Sequence, residues 1–166
     1  MSRVVYNEDE DNSVYLWEGW AKQAIGSKRG QAVLRELEAA LLAMPVKRLA
    51  YSTFVNPYQG EACALGELAC ARLMSQKGLT REAALGELHD KTTVLVPTFP
   101  WMDAKPTYYR EELGAVRYAE EEMKLTYTLA WELQEKNDEL FGQGNTPEER
   151  YDGVLAWVRK HLKVAA

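Results

Sequence analysis

The sequence has few of the residues on which common catalytic and metal sites depend. It contains two cysteines and two histidines in 166 residues. Two cysteines are too few for a disulfide framework. Within one continuous helix Cys63 and Cys70 would lie about 10.5 Å apart along the axis, too far for a disulfide. We therefore expect a reducing compartment.

Long apolar runs are also missing. No stretch approaches the roughly 20 apolar residues that a membrane helix needs. The start, Met1–Asp11, is polar and acidic, whereas a secretory signal places an apolar core behind a basic start. The sequence therefore predicts a protein without membrane contact.

Recognisable catalytic motifs are missing as well. The sequence has no Walker loop, dinucleotide glycine pattern or serine elbow. Cys63, Cys70 and His89 match no zinc spacing and have no fourth ligand. A Cys63 nucleophile with His89 and Asp90 has no activating signature around it. We therefore expect no enzyme activity, no metal site and no cofactor.

The charge is segregated along a chain whose net charge is −5. Residues 1–19 carry a net charge of −4, residues 20–50 of +4 and residues 101–145 of −5. An acidic chain lacks the usual electrostatic signature of nucleic-acid binding. Five tryptophans and nine tyrosines favour a binding protein, since aromatic side chains anchor interfaces.

Apolar residues recur at helical spacing through most of the chain. The predicted helices cover residues 13–25, 30–44, 61–78, 80–90, 107–123, 125–142 and 146–162. The end signals are Ser13, Ser27, Thr80 and Thr146 as N-terminal caps, Gly26 and Gly78 as left-handed C-terminal residues, and Pro147 with Glu149 in a capping box. Residues 46–60 and 91–106 are predicted to be extended. We expect a flexible acidic arm over 1–12. Over 13–166 we expect a mainly α, single compact domain of six or seven helices with one or two short extended segments.

The basic segment centres on "AIGSKRGQAVLRELEAALLAMPVKRL". A tight joint between two helices explains its glycines, but it leaves Lys28 and Arg29 unexplained. Cations in the first turn oppose the helix dipole, although beside free N–H groups they could form an anion site. Lys47 and Arg48 follow the helix and could extend a basic face. Two interpretations therefore remain open: a joint between two helices with no ligand, and a binding site for an anion or an acidic partner.

Residues 91–106 break the helical pattern with three prolines. Phe99 and Trp101 in this segment either cover the core or dock a partner.

Residues 116–134 have the spacing of a helix-turn-helix, with Met123, Lys124 and Leu125 in the turn. Val116 and Ala119 would lie on the first helix, and Ala130 and Leu133 on the second. The second helix carries four acidic side chains and one lysine, which would repel phosphates. Two packed helices with a short connection explain the same pattern.

Two blocks of the sequence resemble a family of bacteriophage and prophage proteins. The motifs are "SKRGQ", "MPVKRL" and "GEACALG" within Gly26–Arg72, and "NDE" with "TPEERYDGVLAWVRK" within Ala130–Lys160. The family has a more acidic, more polar connection before "GEACALG", and Thr92–Tyr109 matches no part of it. The resemblance implies a phage gene product in the bacterial cytoplasm, with "KRG", "KRL" and "CALG" important for folding or binding.

The function predicted from these observations is that of a non-enzymatic phage accessory protein. It would bind a host or phage protein, such as one in a defence or replication complex, and a homo-oligomer is compatible with the sequence. The predicted binding residues are Lys28, Arg29, Lys47, Arg48, Phe99 and Trp101. The alternative is a nucleic-acid-binding regulator with a degenerate helix-turn-helix.

Overall fold

A computed structural model describes residues 10–95, 107–138 and 146–163, with side chains over 16–92, 114–138 and 146–163. In chain order the elements are α1 (Glu10–Gly26), α2 (Lys28–Ala43), β1 (Val55–Asn56), β2 (Glu61–Ala62), α3 (Ala64–Lys77), α4 (Arg81–Leu95), α5 (Thr107–Glu121), α6 (Tyr127–Asp138) and α7 (Pro147–His161). The strands form one antiparallel hairpin in which Val55 pairs with Ala62. The predicted mainly α fold is confirmed.

The centre of the fold is α3, which packs against α2, α4, α5 and α6. Every residue from Ala62 to Cys70 is buried. A helix that is apolar all round belongs in the interior, and the small residues of "ACALGELACA" allow its neighbours to approach closely. At Gly66 a Cβ atom would lie 2.1 Å from the Phe54 carbonyl oxygen, so a side chain would not fit there.

Several predicted helix ends are confirmed. The Ser27 hydroxyl accepts a hydrogen bond from the Gly30 amide at 2.9 Å. Gly78 ends α3 in a left-handed conformation with φ 66°. Thr146 and Glu149 form the capping box that opens α7, with Pro147 as the first helical residue. These motifs act within a few residues, so local sequence determines them.

Four expectations at the element ends are wrong. α1 begins at Glu10, so Ser13 lies inside it and residues 10–12 are helical. Gly26 belongs to α1 and is not among the glycines with positive φ in the described residues. α4 continues to Leu95, into the segment predicted to be extended. Glu61–Ala62 is a strand, because it pairs with the strand that precedes it.

The joint between α1 and α2 depends on a different glycine. Ser27 is the single residue between the two helices. A Cβ atom on Gly30 would lie 2.0 Å from the Ala24 carbonyl oxygen and 2.8 Å from that of Ile25. Gly30, which ends the "KRG" motif, is therefore the residue that permits the sharp turn.

α7 lies antiparallel to α2 and holds both of its ends. Near the start of α7, the Leu49 amide donates to the Pro147 carbonyl at 3.0 Å. In the next turn the Tyr151 hydroxyl donates to the Leu41 carbonyl at 3.1 Å. At the other end, the Gln31 side chain donates to the His161 carbonyl and accepts from the Lys163 amide. The first and last described parts of the chain therefore form one packed unit.

Candidate functional site

The predicted basic segment is divided between the two ends of α2. Lys28 and Arg29 begin the helix, whereas Lys47 and Arg48 follow its far end, ~24 Å away for 16 residues. All four residues are exposed. The four basic residues therefore lie on two separate surfaces, one at each end of α2.

Lys47 closes the C-terminus of α2. Its ammonium donates to the carbonyl oxygens of Leu41, Leu42 and Met44 at 3.1, 2.6 and 2.9 Å. The last carbonyls of a helix lack the regular backbone donors of its interior, although Leu41 also accepts the Met44 amide at 3.3 Å, and a cation suits the dipole there. The same ammonium lies 5.6 Å from the centre of the Tyr151 ring. These contacts give Lys47 a role in the fold.

Arg48 bridges two other elements. It pairs with Glu61 of β2 at 3.4 Å and with Glu148 of α7 at 3.1 Å. Leu49, which completes the "KRL" motif, is fully buried. The "KRL" residues thus join the end of α2 to the hairpin and to α7.

Lys28 and Arg29 have no comparable structural role. Neither side chain makes a hydrogen bond or ion pair with any residue that the structure describes. Phe99 and Trp101, the other predicted binding residues, lie outside the described residues.

A cavity of about 470 Å³ lies beside the joint, between α1, α6 and the end of α7. Its walls include Trp17 and Trp157. The charged residues around it are Glu18, Lys22, Glu132, Lys136, Lys160 and Lys163, with His161 beside them. Four lysines face two glutamates, so the cavity is basic although the chain is acidic. Sequence analysis missed it because its residues come from three separate segments.

An exposed aromatic surface adjoins this cavity on α1 and α6. We call it the aromatic face; it consists of Leu16, Trp17, Trp20, Tyr127 and Trp131. Leu16 and Trp20 are each 54% exposed and Tyr127 is 45% exposed. The Tyr127 ring lies 6.4 Å from that of Trp17, edge to face, and 6.0 Å from that of Trp131, stacked.

Trp20 departs from its expected environment. It recurs at helical spacing with Trp17, Ala21 and Ile25, a pattern typical of one buried apolar stripe, yet Trp20 is exposed whereas Ala21 and Ile25 are buried. At about 100° per residue, Trp20 lies about 60° to one side of Trp17, and Ile25 about 80° to the other. The stripe is thus wider than one neighbouring helix can cover, which was the available signal for an exposed face.

The Cys63 thiol is fully buried at the start of α3. Its sulfur accepts a hydrogen bond from the Gly66 amide at 3.4 Å and contacts the Gln134 amide oxygen at 3.5 Å. Burial, together with the negative charge of Asp138, raises the pKa of Cys63 to about 12. The thiol therefore stays protonated at neutral pH, and the nucleophile is the thiolate. This environment is that of a helix cap.

The two helices of the helix-turn-helix pattern are present, with Lys124 between them at φ 58°. The second helix, α6, packs against α1, α3, α5 and α7. Seven of its residues are buried, among them Leu133 and Asn137. A recognition helix needs one face free for the major groove.

Two absences concern the described residues alone. Within 10–95, 107–138 and 146–163, no group of three or more His, Cys, Asp or Glu side chains could hold a metal ion. Among the described helices, none has both the length and the apolar character required to cross a bilayer.

No protein-family model, curated protein or solved structure matches this chain. The resemblance to bacteriophage and prophage proteins therefore stays a prediction from its motifs.

Proposed function

We propose that this chain is a non-enzymatic phage accessory protein that binds a host or phage protein through its aromatic face. The observation that carries the proposal is the exposure of Leu16 and Trp20 on α1 and of Tyr127 on α6, whose ring packs against Trp17 and Trp131. Exposed aromatic side chains that are held in place by their neighbours are typical anchors of protein interfaces.

The charge that follows α1 indicates the chemistry of the partner. Lys28 and Arg29 begin α2, one residue after α1 ends, and both are exposed. A partner with an apolar pocket rimmed by acidic side chains would complement both features, and its association would slow as salt is added. A component of a host defence or replication complex is the proposed class of target.

The motif resemblance supports a phage origin and an action inside the bacterial cell. Most of the resemblance has a role in the fold: Gly30 permits the joint, Lys47 closes α2, and Cys63 caps α3. Lys28 and Arg29, like Lys160, are motif residues whose side chains make no hydrogen bond or ion pair within the described residues. This supports a role for them at a binding surface.

The test is a pull-down from host lysate with the tagged full chain, with and without nuclease. The test variant is Trp20→Glu, and the matched control is Leu42→Glu, because Leu42 is 49% exposed on a different helix. We expect one stoichiometric protein that survives nuclease, is reduced about tenfold by Trp20→Glu and is retained by Leu42→Glu. Partners that do not respond to Trp20→Glu would contradict the proposal.

The nucleic-acid alternative would give a different pattern. Partners would disappear on nuclease treatment, and binding would fall steeply with salt and with Lys28→Glu plus Arg29→Glu. The burial of α6 makes this the weaker proposal.

A further inference from the structure

The exposed face of α1 carries a glycine that the packing of the described residues does not require. Gly19 lies in the middle of the helix and is exposed. A Cβ atom there would meet no described atom within 4 Å. Glycine is unfavourable inside a helix, and it is used where another backbone approaches closely. At Gly30 that backbone belongs to the same chain, whereas at Gly19 no described residue fills the space.

The surface around Gly19 is exposed and uncharged. One arc of about 100° on α1, at about 100° per residue, contains Leu16, Gly19, Trp20 and Gln23. All four residues are exposed. The buried centre of a protein interface is depleted of charged residues, and a glycine at the contact lets two helix axes come to the lower end of the usual separation of about 8–10 Å. This side of α1 therefore fits another helix.

The charges before and after Gly19 are of opposite sign. Residues 10–18 include three acidic residues and no basic one, whereas residues 20–29 include three basic residues and no acidic one. Lys28 and Arg29 begin α2, where their charge opposes the helix dipole, and they form no ion pair with any described residue. A second α1 in the antiparallel direction would bring its acidic start to these two cations.

From these observations we propose that the chain forms an antiparallel homodimer through α1, which covers the α1 part of the aromatic face. The two-fold axis passes close to Gly19, where the helices cross. Leu16 and Trp20 of both copies are buried at the crossing. A two-fold interface must be complementary to itself, and α1 meets this condition because its uncharged centre separates an acidic end from a basic one. A second copy is therefore the partner that satisfies both ends at once.

The size of the contact indicates a weak dimer. α1 has 17 residues and is ~25 Å long, so two such helices make an interface at the low end of the known sizes. We expect a dissociation constant of about 10 µM. A protein that binds the aromatic face more tightly would separate the two copies. This competition rests on the proposed function of the aromatic face, whereas the dimer itself does not.

The dimer is tested by sedimentation velocity of the full chain between about 1 and about 500 µM. We expect the mean mass to rise from one copy to two over this range. Added salt should move the midpoint to higher concentration, because it screens the exposed charges at both ends of the contact. A monomer alone at about 500 µM would overturn the proposal.

The role of the glycine is tested by Gly19→Gln, with Gly86→Gln as the matched control. At both positions a Cβ atom meets nothing described within 4 Å, but Gly86 lies on α4. Gly19→Gln should weaken the dimer at least about tenfold, and Gly86→Gln should leave it unchanged. At about 1 µM, where the chain is a monomer, neither variant should lower the unfolding temperature, since glutamine favours a helix. Equal weakening by both variants would contradict the crossing at Gly19.

The antiparallel direction is tested by exchanging charges. One variant combines Glu10→Lys with Asp11→Lys, the first two residues of α1, and the other combines Lys28→Glu with Arg29→Glu. Each variant alone should weaken self-association at least about tenfold. An equimolar mixture should form a heterodimer, because each end then meets the opposite charge. A mixture that stays monomeric would overturn the antiparallel arrangement.

The dimer and the docking function can fail separately. Glu10→Lys with Asp11→Lys leaves Leu16, Trp20 and Tyr127 unchanged, so this variant should still capture the protein that the wild type captures from host lysate. A dimer in sedimentation without any Trp20-dependent capture would contradict the docking function alone. A monomer at about 500 µM with Trp20-dependent capture would contradict the dimer alone. A captured complex that contains two copies of this chain joined through α1 would contradict the competition.

Discussion

The Asn137 side chain of α6 caps α3 across 73 residues of sequence. Its Oδ1 atom accepts a hydrogen bond from the Ala64 amide at 2.9 Å, and its Nδ2 donates to the Ala50 carbonyl at 2.8 Å. Asn137 is fully buried, so both backbone groups would lose their partners in Asn137→Ala. We expect this change to lower the free energy of unfolding by about 2–4 kcal/mol, measured by urea denaturation.

The matched control is an exposed amide. Gln59 in the hairpin accepts a side-chain hydrogen bond from Asn56 at 2.9 Å and is exposed. Gln59→Ala should change stability by less than about 0.5 kcal/mol, because water replaces the lost contact. A similar loss in both variants would show that Asn137 has no special role at the start of α3.

The buried Cys63 thiol predicts a loss of stability in alkali. Its pKa is about 12 in the fold, against 9.0 for an ordinary cysteine. The unfolded chain therefore releases a proton between these values while the folded chain keeps it, so stability falls as pH rises. Above pH 9 the wild type should lose about 1.4 kcal/mol per pH unit relative to Cys63→Ser.

The serine variant is the right comparison because its hydroxyl does not titrate and can still accept from the Gly66 amide. Burial also raises the pKa of Cys70 and Tyr118, to about 11 and about 12, and these groups are common to both proteins. The difference between the two unfolding curves at pH 8 and pH 10 thus isolates Cys63. Parallel pH profiles would show that the thiol is open to solvent.

Two helical glycines should respond to alanine in opposite directions. In Gly30→Ala the new methyl group meets the Ala24 carbonyl oxygen at 2.0 Å, so the joint between α1 and α2 must open. In Gly86→Ala, inside α4, the methyl group meets nothing within 4 Å. We expect thermal unfolding to show a gain of about 0.5–1 kcal/mol for Gly86→Ala and a loss for Gly30→Ala. If both variants gain stability, α1 and α2 do not need to approach each other closely at the joint.

The ion pair between Glu67 and Arg81 ties α3 to the start of α4. Glu67 is 2% exposed and its Oε2 accepts from Arg81 Nη1 at 2.7 Å. Arg81→Met leaves a buried carboxylate without its cation, which should cost about 3–5 kcal/mol in chemical denaturation. Glu67→Met in the same chain should recover most of this loss. If the double variant is as unstable as Arg81→Met, the pair is not the source of the effect.

Local signals explain which parts of the fold sequence analysis predicted. The caps at Ser27, Gly78 and Thr146 act within four residues, and the apolar stripe of α2 fits a helix with one buried face. The central position of α3 was missed, because a helix surrounded by neighbours shows little difference between its faces.

Sequence analysis predicted less of the candidate site than of the fold. Lys47 and Arg48 belong to the predicted basic segment, yet their partners are carbonyls of α2 and carboxylates of β2 and α7. The cavity is lined by residues of separate helices, such as Glu132 of α6 and Lys160 of α7. Charge counted along the chain cannot distinguish such pairings from a free basic surface, since they are set by tertiary packing.

The antiparallel arrangement of α2 and α7 has a consequence for synthesis on the ribosome. Gln31, Leu41 and Leu49 are made early, but the groups that they bond belong to Pro147, Tyr151 and His161. The side of α2 that α7 covers therefore stays uncovered until about a hundred further residues have been translated. During that interval chaperones have access to a surface that the finished protein hides.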